Sequence, residues 1–153
     1  MFGMFFKGAQ QDLRGAIENV LEKGWVCPIR VRENNDSDYY SISRDEIVIR
    51  VRERFLDDAE YFGTLTHLMA HSVNCFEGKS ILSTDRYVRE EMVCECCSAM
   101  LLSMMGLEKT MNDDSRFYKE LMEKYWNNAG EREMIENEVK ERLFAVLKAL
   151  NGN

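Results

Sequence analysis

The stretch THLMAHSVN, residues 66–74, carries His67 and His71, the only two histidines in a chain of 153 residues. On a helix, side chains four apart share a face with their Cβ atoms roughly 5–6 Å apart. Two imidazoles so placed reach a single ion at about 2.0–2.1 Å per Zn–N bond. The residues just before them, LDDAEYFG, supply the helix start. Asp57 is a good N-cap, and Glu60 three residues on completes the form of a capping box. Phe62, Leu65, Met69 and Val73 then recur at helical spacing, so a helix from Asp57 through Asn74 is predicted. The alternative for the pair is one packed and one exposed imidazole with no shared ligand.

The next amphipathic stretch, STDRYVREEMVCECCSAMLLSMMGL, predicts a helix from Ser83 or Thr84 to a stop at Gly106. Within it Glu91 and Glu95 are also four apart, with Tyr87, Cys94 and Ser98 on much the same side. The sequence turns apolar after Val93, so at least one of these carboxylates points inward, where it requires a cation or a donor. A His-x-x-x-His helix followed by a Glu-x-x-x-acid helix is the arrangement of gluzincin-type sites. There the first carboxylate ligates the metal and the second orients a ligand imidazole. Glu91 is accordingly the candidate third ligand beside His67 and His71, Glu95 the orienting residue, and Glu90, one position off that face, the reserve. Zinc is the expected ion. In the HExxH helices of zinc hydrolases the residue after the first histidine is a glutamate that accepts the proton of the metal-bound water. Here that position is Leu68.

The rest of the chain predicts an α+β domain. AQQDLRGAIENVLEK (9–23) has helical spacing at Leu13, Ile17, Val20 and Leu21, with Gly24 as its stop. WVCPIRVRE, DYYSIS and EIVIRVRE read as three short strands, the last two as a hairpin, with Pro28 favouring an edge position for the first. In IRVRERF, Arg50, Arg52 and Arg54 fall at period two and are read as the solvated face of a strand. DDSRFYKELMEKYWNNAG and EREMIENEVKERLFAVLKAL predict two more helices over 113–150, with Phe117, Leu121 and Tyr125, then Ile135, Val139, Leu143 and Val146, facing inward. The expectation is a single domain over 1–153, a small mixed or antiparallel sheet packed on several helices.

A formal charge of −7 disfavours direct binding to nucleic acid, which needs clustered Lys and Arg. No apolar run approaches the roughly 20 residues of a membrane span. Five cysteines, three of them crowded at Cys94, Cys96 and Cys97, do not form a disulfide pattern, and a reducing cytoplasm is the simplest setting. Their sulfurs turn in different directions on one helix, so they are read as core. Cys75, four after His71, is a surrogate ligand if that helix continues. Nothing in the sequence sets a thiol beside an imidazole for nucleophilic catalysis.

The run YYSISRDEIVIRVRERFLDDAEYFGTLTHLMAHS followed by DRYVREEMVCECCSAMLLSMMGL resembles the zincin-like metallopeptidase domain at the C-terminal end of ArdC-type antirestriction proteins. Tyr39 to Asp45, Arg52 to Phe55, His67, His71, Tyr87, Arg89 to Glu91 and Glu95 stand at the family's characteristic places. The likeness covers roughly residues 25–107 well and the C-terminal helices more loosely. It implies a zincin-like fold, a metal site and an origin among antirestriction-related proteins of mobile elements. Three departures restrict what it implies. Leu68 replaces the family's catalytic glutamate. The segment between His71 and Tyr87 lacks the family's Gly-His and Arg-Leu-Asn features. Only about 24 residues precede the first strand, too few for the family's DNA-binding domain, so antirestriction through DNA is not expected to transfer.

Three functional readings follow. The first is a degenerate zincin that keeps a metal site without efficient peptidase activity. The second is a working zinc hydrolase whose base is Glu90, Glu95 or a glutamate such as Glu77. The third is a metal-free interaction domain on the same fold. A protein or peptide is the expected partner, with no membrane and no nucleic acid.

Overall fold

EIVIR forms the middle of the sheet: Ile47, Val48 and Ile49 are all buried, as in a strand covered on both faces. The computed structural model describes residues 9–73, 84–109 and 113–152. The chain runs α1 (Ala9–Lys23), β1 (Ile29–Arg32), β2 (Tyr39–Ser41), β3 (Glu46–Arg50), α2 (Asp58–Ser72), α3 (Thr84–Met104), α4 (Asp113–Phe117), α5 (Lys119–Trp126) and α6 (Ala129–Leu150). The sheet order is β1-β3-β2. β1 lies parallel to β3, Ile29 opposite Ile47, and β2 lies antiparallel to it, Tyr40 opposite Ile47. The hairpin and the mixed α+β architecture are as expected. Pro28 sits just before the edge strand β1, and its carbonyl accepts the Ile47 N–H at 2.9 Å. The hairpin turn carries Asp45 at φ 49°, a left-handed conformation that Asp tolerates well.

The arginine run departs from expectation. Regular pairing stops at Arg50, and Arg52–Arg54 form one 3-10 turn. Each arginine finds a carboxylate off the strand: Arg50 forks onto Asp38 at 2.9–3.2 Å and covers the Phe55 ring, Arg52 pairs with Asp58 on α2, and Arg54 stands 3.9 Å from Asp36. These partners turn the chain into α2 instead of extending the strand.

α2 begins as the sequence requires. Asp57 accepts the Glu60 N–H at 2.8 Å, and the Glu60 carboxylate accepts the Leu56 N–H at 2.6 Å, one residue before the cap. Asp57→Ala is expected to cost about 1 kcal/mol, lowering the melting temperature by about 2–4 °C in a thermal scan. Phe62, Leu65 and Met69 are fully buried, while Val73 lies beyond the last helical residue. Asn74, Cys75 and Glu77 lie outside the described residues.

Two short-range devices set α2 against α3. A Cβ at Gly63 would stand 3.2 Å from Leu102 Cδ1, so the glycine permits close approach. Beside it the buried Ser98 hydroxyl donates to the Gly63 carbonyl at 2.6 Å and meets Thr66 Oγ1 at 3.0 Å. Because these polar groups are fully buried, sliding one helix past the other would leave them unpaired. This register carries His67 and His71 to the level of Glu91 and Glu95.

The single helix predicted over 113–130 is broken at Tyr118, and Phe117, expected inside, is 81% exposed. The break lets α4 turn the buried Ser115 toward α3 and swings Phe117 outward against the edge of Tyr118. On α6, Ile135, Val139, Leu143 and Val146 face the core as predicted, and Asn128 caps the helix by accepting from Glu131 N. Cys94 and Cys97 are buried, with Cys96 half-buried. Among the described residues, no helix is long and apolar enough to cross a membrane.

Candidate metal centre

α2 and α3 bring His67, His71 and Glu91 together. The two Nε2 atoms are 3.0 Å apart, with Glu91 Oε1 2.7 Å from His71 Nε2 and Oε2 3.3 Å from His67 Nε2. The other ring nitrogen of each histidine faces a carboxylate. His67 Nδ1 is 2.8 Å from Glu95 Oε1, and His71 Nδ1 is 3.1 Å from Glu90 Oε2. All four sequence candidates and the reserve therefore meet in one cluster, with Glu95 on the His67 imidazole and Glu90 on that of His71.

The donor chemistry suits a cation. With N–H on each Nδ1 donating to its carboxylate, both Nε2 lone pairs and the Glu91 carboxylate converge as acceptors, and three acceptors alone repel. Donors at about 2.0–2.1 Å from a tetrahedral zinc stand about 3.3 Å from one another, close to the 2.7–3.3 Å seen here. The residues present fit a divalent ion with two nitrogen donors and one oxygen. Without a metal, a proton serves the same end. Burial opposes an imidazolium at His71, yet its contacts with Cys94, Glu90 and Glu91 hold its pKa well above the ordinary value. The carboxylates carry that effect, because burial pushes the Cys94 thiol itself up to about 11. Glu91 is held below the usual carboxylate range: burial works against its charge, and the two imidazoles outweigh it.

Sequence reasoning missed three supporting residues. Arg142, 3% exposed on α6, forks onto Glu90 at 2.6 and 2.8 Å and donates to the Ala70 carbonyl at 3.2 Å. It had a signal, since position 142 falls inside the apolar stripe of Val139, Leu143 and Val146. Lys109, just past the Gly106 stop, meets Glu95 at 2.8 Å. Ser115 donates to Glu91 Oε2 at 3.0 Å. No sequence spacing announces these last two.

The fold also sets a thiol beside an imidazole, which the sequence did not show. Cys94 joins His71 and Glu90 in a second group with ligand atoms within 4.8 Å of one another. There the Arg142 guanidinium, 3.4 Å from Cys94 Sγ and 2.6 Å from Glu90, already takes the cation's place. A buried thiol raised to about 11 is no nucleophile at neutral pH.

The centre opens into a cleft of about 630 Å³ between the sheet edge and the helices. Tyr39, Tyr40 and Ile42 line it from the β2 side, and Leu68 lines it beside the histidines. Leu68 is 6% exposed, so the position that would hold a general base presents a largely buried isobutyl group.

The model of the MPTase-PolyVal family, zincin-like metallopeptidases, matches residues 18–128, and the chain belongs to that family. The match extends past the expected 25–107 on both sides and stops before α6. Two solved structures of the antirestriction ArdC protein from plasmid R388 share the fold. The Mn(II)-bound one is 17% identical with a TM-score of 0.72, covering 94% of this chain and 53% of that one. The metal-free one is 16% identical with a TM-score of 0.69, covering 91% of this chain and 50% of the other. The chain thus spans about half the length of these ArdC chains. A comparison with curated protein sequences found no match.

Proposed function

We propose that this chain is a metal-binding zincin domain of low peptidase activity, with one divalent ion held by His67, His71 and Glu91. The observation that carries this is the convergence of two Nε2 atoms and one carboxylate within 3.3 Å, each imidazole backed by its own acid. Two histidines and a glutamate form a donor set that zinc uses at catalytic sites, with a fourth position for water or substrate. Zinc is the proposed ion, with manganese, which the ArdC structure holds, as the comparison. Bound there, the ion would act as a Lewis acid on an oxygen in the cleft.

Leu68 has no lone pair with which to take a proton, so general-base assistance, commonly worth about 10²–10⁴-fold, is absent at that position. Of the other candidate bases, the two that lie among the described residues serve the histidines instead. Glu90 is gripped by Arg142, and Glu95 is shared by His67 and Lys109, so neither carboxylate is available to a water in the cleft. We propose that the cleft receives a peptide or protein segment and holds it more readily than it cuts it.

The test is metal content by mass spectrometry on protein purified without chelator or nickel resin. About one zinc per chain is expected, and none in His67→Ala. Added zinc at 100 times its Kd should stabilise the metal-free protein by about 2.7 kcal/mol, a rise of about 5–10 °C in melting temperature. Absence of metal in the wild type together with no thermal shift would leave the histidine pair as inherited scaffolding.

A further inference from the structure

We infer that Ser115 positions Glu91 so that it offers the metal one oxygen rather than two. The inference rests on the metal-binding reading above and concerns how that centre keeps a coordination position open.

α4 packs on α3, and Ser115 on it is fully buried. Its hydroxyl donates at 3.0 Å to Glu91 Oε2, which also stands 3.3 Å from His67 Nε2, while Glu91 Oε1 points to His71 Nε2 at the shorter distance of 2.7 Å. The two oxygens of the ligand carboxylate therefore have different surroundings. A hydrogen bond to Oε2 draws electron density from that oxygen and fixes the carboxylate plane, leaving Oε1 as the stronger donor. A one-oxygen Glu91 gives an ion three protein donors and a free fourth position. A two-oxygen Glu91 would take that position for itself. The next residue, Arg116, lines the cleft, so the short helix that orients the ligand also forms part of the wall through which a substrate group would approach. Nothing in the α2 and α3 motif supplies this contact, since Ser115 lies 24 residues beyond Glu91 in the chain.

Ser115 touches the ligand and not the reacting atoms, so it is a positioning residue, and the test reads coordination as well as affinity. Zinc affinity is measured by competition with a chromophoric chelator, and the cobalt(II)-loaded protein is examined by visible absorption, whose intensity falls as coordination rises from four to five. Ser115→Ala is expected to bind zinc about 10–100-fold more weakly and to show the weaker cobalt spectrum, while its metal-free form stays folded and melts a few degrees lower for want of the hydrogen bond to a buried carboxylate. Ser115→Thr, which keeps the hydroxyl, should restore both readouts. If the alanine protein does not fold, Ser115→Thr and its isostere Ser115→Val make the same comparison, with the threonine protein binding about 10–100-fold tighter. Wild-type affinity and an unchanged cobalt spectrum without the hydroxyl would overturn the inference and leave the metal site standing. A wild-type protein that binds no metal would overturn both.

Discussion

Arg142→Met is expected to destabilise the protein by about 3–5 kcal/mol, because it leaves the Glu90 carboxylate buried without its main partner. For a chain of this size that is a fall of about 6–20 °C in melting temperature, or a matching shift of the urea midpoint at unchanged slope. The guanidinium is 3% exposed and makes two charge-assisted bonds to Glu90, with a third to the C-terminal end of α2, so one side chain of α6 ties down both helices of the metal centre. Glu90 is held below the ordinary carboxylate range although burial works against its charge, because His71 and Arg142 both stabilise the anion. The loss should be largely recovered in Glu90→Leu/Arg142→Met, where no charge is stranded, although His71 then lacks its backing acid. A single variant within about 1 kcal/mol of wild type, the ordinary worth of a solvated pair, would show that the ion pair is wet in solution.

Leu68→Glu is expected to raise peptide hydrolysis by the zinc-loaded protein about 10²–10⁴-fold, the usual contribution of a placed general base. The leucine lines the cleft directly after His67 on α2. A carboxylate there would stand where its family members place their base, beside the proposed ion. In the metal-free protein the same change buries a charge at a position only 6% exposed and should lower stability, with zinc restoring it. Hydrolysis of an unfolded protein substrate and melting with and without zinc are the two measurements. A variant that binds zinc and cuts no faster than wild type would show that Leu68 is not what limits catalysis, and would remove the reason for calling the chain a weakened peptidase.

The parts of the fold legible beforehand are those governed by contacts within a few residues. Asp57 capping Glu60, the stripe of Phe62, Leu65 and Met69, and the stop at Gly106 depend only on helical geometry, and each stands where the pattern put it. The spacing of His67 to His71 and of Glu91 to Glu95 likewise told which side chains share a face. Where long-range partners compete, local pattern failed. The alternating arginines after Arg50 looked like a strand until Asp38 and Asp58 claimed them, and Phe117 looked like core until the break at Tyr118 turned Ser115 inward instead.

By itself the sequence determined that two imidazoles share one face of one helix and two carboxylates one face of another, and that a leucine stands directly after the first histidine. Periodicity carries that information, because a helix repeats its face every three to four residues. Only the tertiary structure decided that these groups meet: the close approach at Gly63 and the buried Thr66–Ser98 contact set the register of α2 on α3. It alone recruited Arg142, Lys109 and Ser115 to hold the acids in place. A buried carboxylate needs a donor but does not specify where in the chain that donor lies. The choice falls to whichever element the packing brings within about 3 Å.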